Sequence, residues 1–195
     1  MAKFSKVLGA KEFSFLSNVT EVLSSSLNIQ ESLSKIFKLL STNFGIKHSF
    51  LTRYNEIQDT FFIKVSYGLN PTEIIAFTEE KWHDQVKNVI EHNKVLFINH
   101  LNYHSVYFDE LNGQQLDENY FVCLPLVVGN DKFGTLTVSA TLDEYEDFDV
   151  MIRLLTIVCL MIAQELKLKK LLEQEKEHLH NENIMLRNEL SEKYN

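Results

Sequence analysis

Two cysteines and seven histidines are the side chains of this chain best suited to nucleophilic or metal chemistry. Cys123 and Cys159 lie within apolar runs, and neither has a histidine or another base beside it in sequence to activate its thiol. This placement predicts reduced, buried thiols of a cytoplasmic protein rather than a disulfide framework. Because no catalytic group is evident, we expect no enzyme activity.

The histidines do not have the spacing of a metal site. His100 and His104 stand four residues apart, which aligns two ligands only on a helix, and the segment around them is predicted to be a loop. No carboxylate or cysteine completes a ligand set at a convincing spacing. We therefore expect neither a metal nor another cofactor.

Charge and hydrophobicity exclude several partners. The chain has 195 residues, with 27 acidic and 19 basic side chains and a formal net charge of -8. A chain this acidic lacks the basic footprint that direct binding to nucleic acid or to an anionic membrane requires. The longest apolar stretch, residues 154–163, is too short to span a membrane. We expect no membrane partner and no direct contact with nucleic acid.

The helices that must position any site are marked by periodicity and caps. A first amphipathic helix is predicted over residues 13–27. A second should begin at the N-cap Asn28, with Glu31 placed as in a capping box, and end at Gly45. The last helix should run from Phe148 without a stop, because no glycine or proline follows in the sequence.

Between these helices the sequence alternates between apolar and polar residues, which predicts strands and two hairpins. The expected strands are residues 47–54, 60–67, 94–98, 120–128 and 133–140, with short helices over 71–92 and a long loop over 99–119.

The last helix combines an apolar first half with a heptad pattern in its second half. Leu172, Leu179 and Leu186 recur every seven residues, and Asn183 occupies an intervening core position, which is typical of a two-stranded parallel coiled coil. The alternative is a single amphipathic helix that folds back on the domain. The residues predicted to mediate dimerisation are Leu16, Val19, Leu23, Leu155, Val158, Ile162, Leu172, Leu179, Asn183 and Leu186.

One face of the predicted sheet is semi-polar, because threonine, serine and cysteine alternate with the apolar residues of the other face. Such a face beneath a long loop could bind a small molecule, although an ordinary solvent-facing surface has the same pattern. The candidate ligand-binding residues of this face and its loop are Phe50, Thr52, His104, Tyr107, Cys123, Thr135, Thr137 and Ser139.

The order of these elements resembles that of a GAF domain, a module that senses small ligands in signalling proteins. FVCLPLVVGNDKFGTLTVS at residues 121–139 carries the resemblance most clearly, and VSYGLNPTEI at residues 65–74 supports it. The resemblance implies an α+β fold, with a central antiparallel sheet of five or six strands between helices. It also implies that the first and last helices form a dimerising bundle.

The C-terminal part resembles the linker of NifA-type activators of sigma-54 RNA polymerase. In that family a sequence like ENIMLRNELSEKY, residues 182–194, directly precedes an AAA+ ATPase domain. We therefore assign residues 1–170 to a GAF sensory domain and residues 171–195 to a coiled-coil linker. The resemblance implies a homodimer that controls a downstream AAA+ domain absent from this sequence.

The same resemblance suggests 2-oxoglutarate as a ligand, for which Lys64, Lys81 and His83 are the candidate cationic partners. Two signatures of other GAF domains are missing. The glycines that often precede the pocket helix are replaced around Trp82, and the Asn-Lys-Phe-Asp-Glu signature of cyclic-nucleotide binders is absent. We therefore do not expect cyclic-nucleotide binding.

Two other functions remain open. The same module could be the input domain of a histidine kinase or a diguanylate cyclase. Some GAF-fold proteins reduce free methionine sulfoxide with a set of cysteines, but here only Cys123 could face the pocket, and Cys159 lies on the last helix.

Overall fold

The computed structural model describes residues 7–26, 28–111, 116–139 and 148–194. Within these ranges the chain forms five α-helices, six strands and one 3-10 turn, Phe108–Glu110. The helices are α1 (Ala10–Ser25), α2 (Ile29–Phe44), α3 (Pro71–Ala76), α4 (Glu80–His92) and α5 (Phe148–Tyr194). The strands are β1 (Ser49–Asn55), β2 (Thr60–Tyr67), β3 (Leu96–Asn99), β4 (Ser105–Tyr107), β5 (Tyr120–Val128) and β6 (Asp131–Ser139).

All six strands belong to one antiparallel sheet with the order β2-β1-β6-β5-β3-β4. The two predicted hairpins lie side by side because β1 pairs with β6, which places Leu51 opposite Leu136. The predicted α+β fold with an antiparallel sheet of five or six strands is confirmed, and the sheet has six.

Helices cover both faces of the sheet, as predicted. On one face α1, α2 and the first half of α5 form a layer whose fully buried side chains include Phe37, Leu51, Leu136 and Val158. On the other face α4 covers β5 and β6, and Trp82 is fully buried there. Successive side chains of a strand point to opposite faces of the sheet. Because both faces are covered, side chains that point either way are buried along the central strands.

The start and end of α2 follow from single residues. The Asn28 side chain accepts hydrogen bonds from the backbone N–H groups of Gln30 and Glu31, at 3.0 and 3.4 Å, so the predicted N-cap is confirmed. Glu31 does not complete a capping box, because its carboxylate binds Lys35 at 2.7 Å instead. That hydrogen bond lowers the pKa of Glu31. The helix ends at Gly45, whose φ of 68° suits glycine.

The longest element, α5, has 47 residues and joins the core to the C-terminal end without a break. Its buried side chains extend from Val150 to Leu166, whereas the residues after Leu172 are exposed. At a rise of about 1.5 Å per residue, such a helix is about 70 Å long, which is far longer than the sheet is wide. Its second half therefore projects from the domain.

Five residues predicted to mediate dimerisation belong instead to the core of a single copy. Val19 and Leu23 of α1, and Leu155, Val158 and Ile162 of α5, are at most 8% exposed. The prediction failed for these residues because periodicity identifies the apolar face of a helix without identifying what that face contacts. Here the apolar face of α1 and that of α5 both pack within the protomer.

The segment predicted as a loop over residues 99–119 contains structure. Ser105–Tyr107 forms the edge strand β4, which pairs with β3, and the 3-10 turn follows it. A strand of three residues is too short to show an alternating pattern in sequence, so it was missed. Residues 112–115 of that loop, and the predicted helix and strand ends at residues 27 and 140, lie outside the described residues.

None of the described helices is both long enough and apolar enough to cross a membrane.

A glycine in β6 tests the packing of the two hairpins. Gly134 has a φ of 141°, and a Cβ there would collide with the backbone carbonyl oxygen of Thr52 on β1. We expect Gly134→Ala to lower the free energy of unfolding by at least about 3 kcal/mol. Gly129→Ala, in the β5–β6 turn where a Cβ would meet only Lys167 Nζ at 4.0 Å, should cost about 1 kcal/mol. Urea denaturation measures both, and equal losses would contradict the proposed collision.

Candidate functional site

An aromatic cluster fills the space between the sheet and the helices α3 and α4. It consists of Phe50, Phe77, Trp82 and Phe121, and each of them is at most 5% exposed. Phe50 and Phe77 have ring centroids 4.6 Å apart, as do Phe77 and Trp82, and Phe77 and Phe121 are 5.0 Å apart. The aromatic cluster therefore occupies the space in which the sequence predicted a ligand.

A polar floor lies on the same face of the sheet. Thr52 of β1 is paired with Thr135 of β6, and Thr137 is paired with Cys123 of β5. The Thr137 hydroxyl donates a hydrogen bond to the Cys123 sulfur at 3.4 Å. The structure thus brings together six of the predicted ligand-binding residues, namely Phe50, Thr52, Cys123, Thr135, Thr137 and Ser139.

Several polar atoms on this face have no hydrogen-bond partner. Among the described residues these are Thr52 Oγ1, Thr135 Oγ1, Trp82 Nε1 and Gln85 Oε1. Thr135 is close enough to the Cys123 thiol to influence its pKa, but it does not make a well-formed hydrogen bond. Buried polar groups are normally paired, so these atoms mark positions where a small polar molecule or an ordered water would be held.

The two thiols are chemically inert in this fold. Burial raises the pKa of Cys123 to about 11, against a weaker lowering effect of the Thr137 hydroxyl. Burial also raises the pKa of Cys159 well above its ordinary value. Both thiols are therefore protonated at neutral pH, and a protonated thiol is a poor nucleophile. This chemistry does not suit a cysteine-dependent reductase.

A cleft of about 280 Å³ opens beside the aromatic cluster and is lined in part by His48, Phe77, His100 and Phe121. His100 Nδ1 donates a hydrogen bond to the carbonyl oxygen of Asn119 at 2.8 Å, because a carbonyl oxygen can only accept. The His100 ring also lies 5.5 Å from the ring of Phe121. The side chains of Phe77 and Phe121 thus lie between this cleft and Trp82.

The other four predicted ligand-binding residues lie elsewhere. His83 is half-buried beside Phe61, and this burial lowers its pKa. His104 is hydrogen-bonded to the Tyr120 hydroxyl at 2.8 Å, and Tyr107 lies on the edge strand β4 near His92. Lys64 lines a separate pocket against α5.

Sequence reasoning missed Phe77 and His100 as residues of this site. Their local sequence gives no sign of the role, because α3, α4 and the segment after β3 reach the sheet only through tertiary contacts.

Lys81 lies over the ring of Tyr103, 5.8 Å from its centroid. In the part of the chain that the structure describes, no three His, Cys, Asp or Glu side chains are grouped as metal ligands.

The unpartnered hydroxyl of Thr52 gives a direct test of the polar floor. We expect Thr52→Val to raise the free energy of unfolding by about 1 kcal/mol, because the variant buries a methyl group in place of an unpaired hydroxyl. Thr137→Val is the matched control and should not stabilise, because it loses the hydrogen bond to Cys123. Urea denaturation compares them. Equal destabilisation by both changes would mean that the Thr52 hydroxyl is already bonded.

Two curated proteins are similar to this chain. Nitrogen fixation protein AnfA of Azotobacter vinelandii is 22% identical over 189 residues, which cover 94% of this chain and 35% of AnfA. Nitrogen fixation protein VnfA of the same organism is 19% identical over 183 residues, covering 92% of this chain and 35% of VnfA. The chain thus spans about a third of the length of these relatives. No protein-family model matches it.

Solved GAF domains share the fold. The GAF domain of a phosphoenolpyruvate-protein phosphotransferase from Coxiella burnetii has a TM-score of 0.63 and 12% identity, covering 84% of this chain and 97% of that one. The A. aeolicus nlh2 GAF domain has a TM-score of 0.59 and 20% identity, covering 82% and 97%.

An enzyme is also among the similar structures. The free methionine-R-sulfoxide reductase of Neisseria meningitidis has a TM-score of 0.55 and 12% identity, covering 86% of this chain and 96% of that one. At these identities the likeness concerns the fold alone. The chain has the fold of a GAF domain, and its sequence resembles the N-terminal region of NifA-type activators.

Proposed function

We propose that this chain is the regulatory GAF domain and linker of a NifA-like sigma-54-dependent activator, which dimerises and controls a downstream AAA+ ATPase. The observation that carries this proposal is the continuity of α5. One helix runs from Val150, inside the core, to Tyr194, far outside it. An α-helix without glycine or proline transmits displacement of its buried part to its exposed part.

The similarity to AnfA and VnfA supports an activator over a histidine kinase or a diguanylate cyclase. It covers nearly all of this chain, including the segment after Leu166 that leaves the core. We assign residues 1–170 to the sensory domain and residues 171–195 to the linker. The inert thiols of Cys123 and Cys159 support a role without catalysis.

The proposed dimer interface is an exposed apolar stripe along α5. Leu168, Leu172, Leu179 and Leu186 are each between 51% and 60% exposed. They follow one another at intervals of four, seven and seven residues, so they share one side of the helix. An exposed leucine stripe of this length is unfavourable in water, and a second copy of α5 would bury it.

The proposed interface leaves out the predicted dimerisation residues that are buried in the protomer. It keeps Leu172, Leu179, Asn183 and Leu186, and it adds Leu168 on the surface of the domain. Leu16 of α1 is half-buried and remains at the margin of the same helical layer. Asn183 in the seam favours one register and two strands, because a shifted register would bury its amide without a partner.

The proposed effector site is the polar floor beneath the aromatic cluster. Its unpaired groups at Thr52, Thr135 and Trp82 offer both donors and acceptors to a small polar ligand. Entry from the cleft requires Phe77 or Phe121 to move, so ligand binding selects a rearranged state of the domain. 2-Oxoglutarate remains a candidate from the NifA resemblance, with Lys47, His48 and His100 among the residues that line the cleft.

Dimerisation through the stripe is tested by light scattering. We expect the wild-type chain to be a dimer at micromolar concentration, and Leu179→Glu/Leu186→Glu to be monomeric, because two carboxylates per chain would face each other in the seam. Asn181→Glu/Asn188→Glu adds the same charge on the opposite side of the helix and should stay dimeric. A wild-type monomer, or equal effects of the two double variants, would contradict the proposed interface.

Effector binding is tested by a thermal-shift screen of 2-oxoglutarate, nucleotides and amino acids. A compound that binds the native state raises the melting temperature. It should also change the emission of Trp82, the sole tryptophan of the chain.

Thr137→Leu should abolish both responses by filling the floor of the site, whereas Thr42→Leu, on the exposed side of α2, should leave them intact. If Thr137→Leu is too unstable to test, Thr52→Val should weaken binding without such overpacking. A shift that survives in both site variants would place the ligand elsewhere.

A further inference from the structure

We propose that a second site, on the opposite face of the sheet, binds a small organic anion that carries phosphate or carboxylate groups. We call it the basic pocket and define it by Arg53, Phe62, Lys64, Lys132, Phe133 and Lys170. It has a volume of about 560 Å³ and lies between the sheet and the part of α5 that leaves the core. Its regulatory consequence, though not the binding itself, rests on the proposed function.

Arg53 is the centre of this argument. Its guanidinium is half-buried and lies over the ring of Phe133, 5.8 Å from the centroid. In the described part of the chain it makes neither a hydrogen bond nor an ion pair within 4.0 Å. Burial lowers the pKa of Arg53, and the nearby Glu173 only partly offsets this effect. A partly desolvated guanidinium with five unused donors is a ready partner for an oxyanion.

Two further cations of the basic pocket are also without an ion-pair partner. Neither Lys64 nor Lys132 lies within 4.0 Å of a carboxylate in the described ranges. Lys170 differs, because it binds Asp131 at 2.6 Å, and Asp131 also pairs with Lys167 at 3.4 Å. The charges of Arg53, Lys64 and Lys132 are therefore those available to a ligand.

The charge balance of the lining favours an anion. Five cationic side chains line the pocket, its two acidic ones, Glu56 and Glu173, offset two of these charges, and Asp131, bound to Lys170, offsets a third, which leaves an excess of two positive charges. The chain as a whole has a net charge of -8. A local positive excess attracts anions to that place even when the protein as a whole is strongly acidic.

The walls of the basic pocket indicate an organic body rather than a bare inorganic ion. Phe62 is 49% exposed at its rim, and Phe133, Ile29 and Leu166 supply further apolar surface. An exposed aromatic ring next to cations suits a ligand with both a charged group and an apolar or planar part.

The location gives such a ligand a means of control. Leu166, Lys170 and Glu173 of α5 form one wall, and β1, β2 and β6 supply the other. A bound anion would connect the sheet to α5 close to Leu166, the last residue of that helix that is buried. It would therefore favour one direction of the projecting helix and, through it, one arrangement of the dimer.

Isothermal titration calorimetry of the whole chain tests the binding, with inorganic pyrophosphate, citrate and ADP as probes in low salt. We expect saturable binding of at least one probe, with a Kd of about 1 mM or tighter. Pyrophosphate or ADP binding would assign the site to phosphates, and citrate binding would assign it to carboxylates. No saturable binding by any of the three would overturn the proposal.

Single variants locate the site. Arg53→Met should weaken binding at least about tenfold, and Lys64→Met at least about threefold, because each removes a positive charge from the basic pocket. Lys38→Met removes the same charge from the exposed side of α2 and should leave the affinity unchanged. Equal weakening by all three variants would mean non-specific attraction and would overturn the proposal. Lys64 is exposed, so Lys64→Met remains informative even if Arg53→Met does not fold.

The outcome is independent of the test for dimerisation. A dimer that binds no probe overturns the basic pocket alone, whereas a monomer that binds a probe at Arg53 and Lys64 overturns only the proposed regulatory dimer.

Discussion

The packing of the first half of α5 against β5 and β6 is the interaction on which the remaining arrangement depends. It closes one side of the sheet with side chains such as Val158 and Ile162, which are fully buried. It also fixes the direction in which the second half of the helix leaves the domain. Because the helix contains neither glycine nor proline, the core and the projecting segment are mechanically one element.

The two faces of the sheet have different properties as a result. The face beneath α5 is largely apolar and has one unpaired buried hydroxyl, that of Ser49, whereas the opposite face keeps two, at Thr52 and Thr135. Unpaired buried hydroxyls are unfavourable for stability, and a sequence optimised only for stability would carry valine there. Their presence under the aromatic cluster is therefore the strongest mark of a functional face in the folded domain.

Charge separates the two candidate sites. The polar floor has neutral partners, whereas the basic pocket has Arg53, Lys64 and Lys132. Arg53 and Thr52 are neighbours on β1, and alternation along the strand sends their side chains to opposite faces. The two sites are thus connected through the backbone of a single strand, and α5 lines the basic pocket.

The sequence by itself determined most of the elements, and its resemblance to GAF domains indicated the fold. The N-cap Asn28, the C-terminal Gly45, the strand β2 and the start of α5 were all predicted at their observed positions, because caps and periodicity depend on residues close together in the chain. Alternation also assigned Thr52, Cys123, Thr135 and Thr137 to a single face, since the strand period is fixed.

Only the tertiary structure decided what those surfaces contact. It placed Val19 and Ile162 in the protomer core, filled the expected ligand space with Phe77 and Phe121, and moved Lys64 to the opposite face of the sheet from that space. The physical reason is that an apolar or charged side chain has the same local pattern whether its partner belongs to the same copy, a second copy or a ligand. That choice depends on which distant segments pack together, and periodicity carries no information about it.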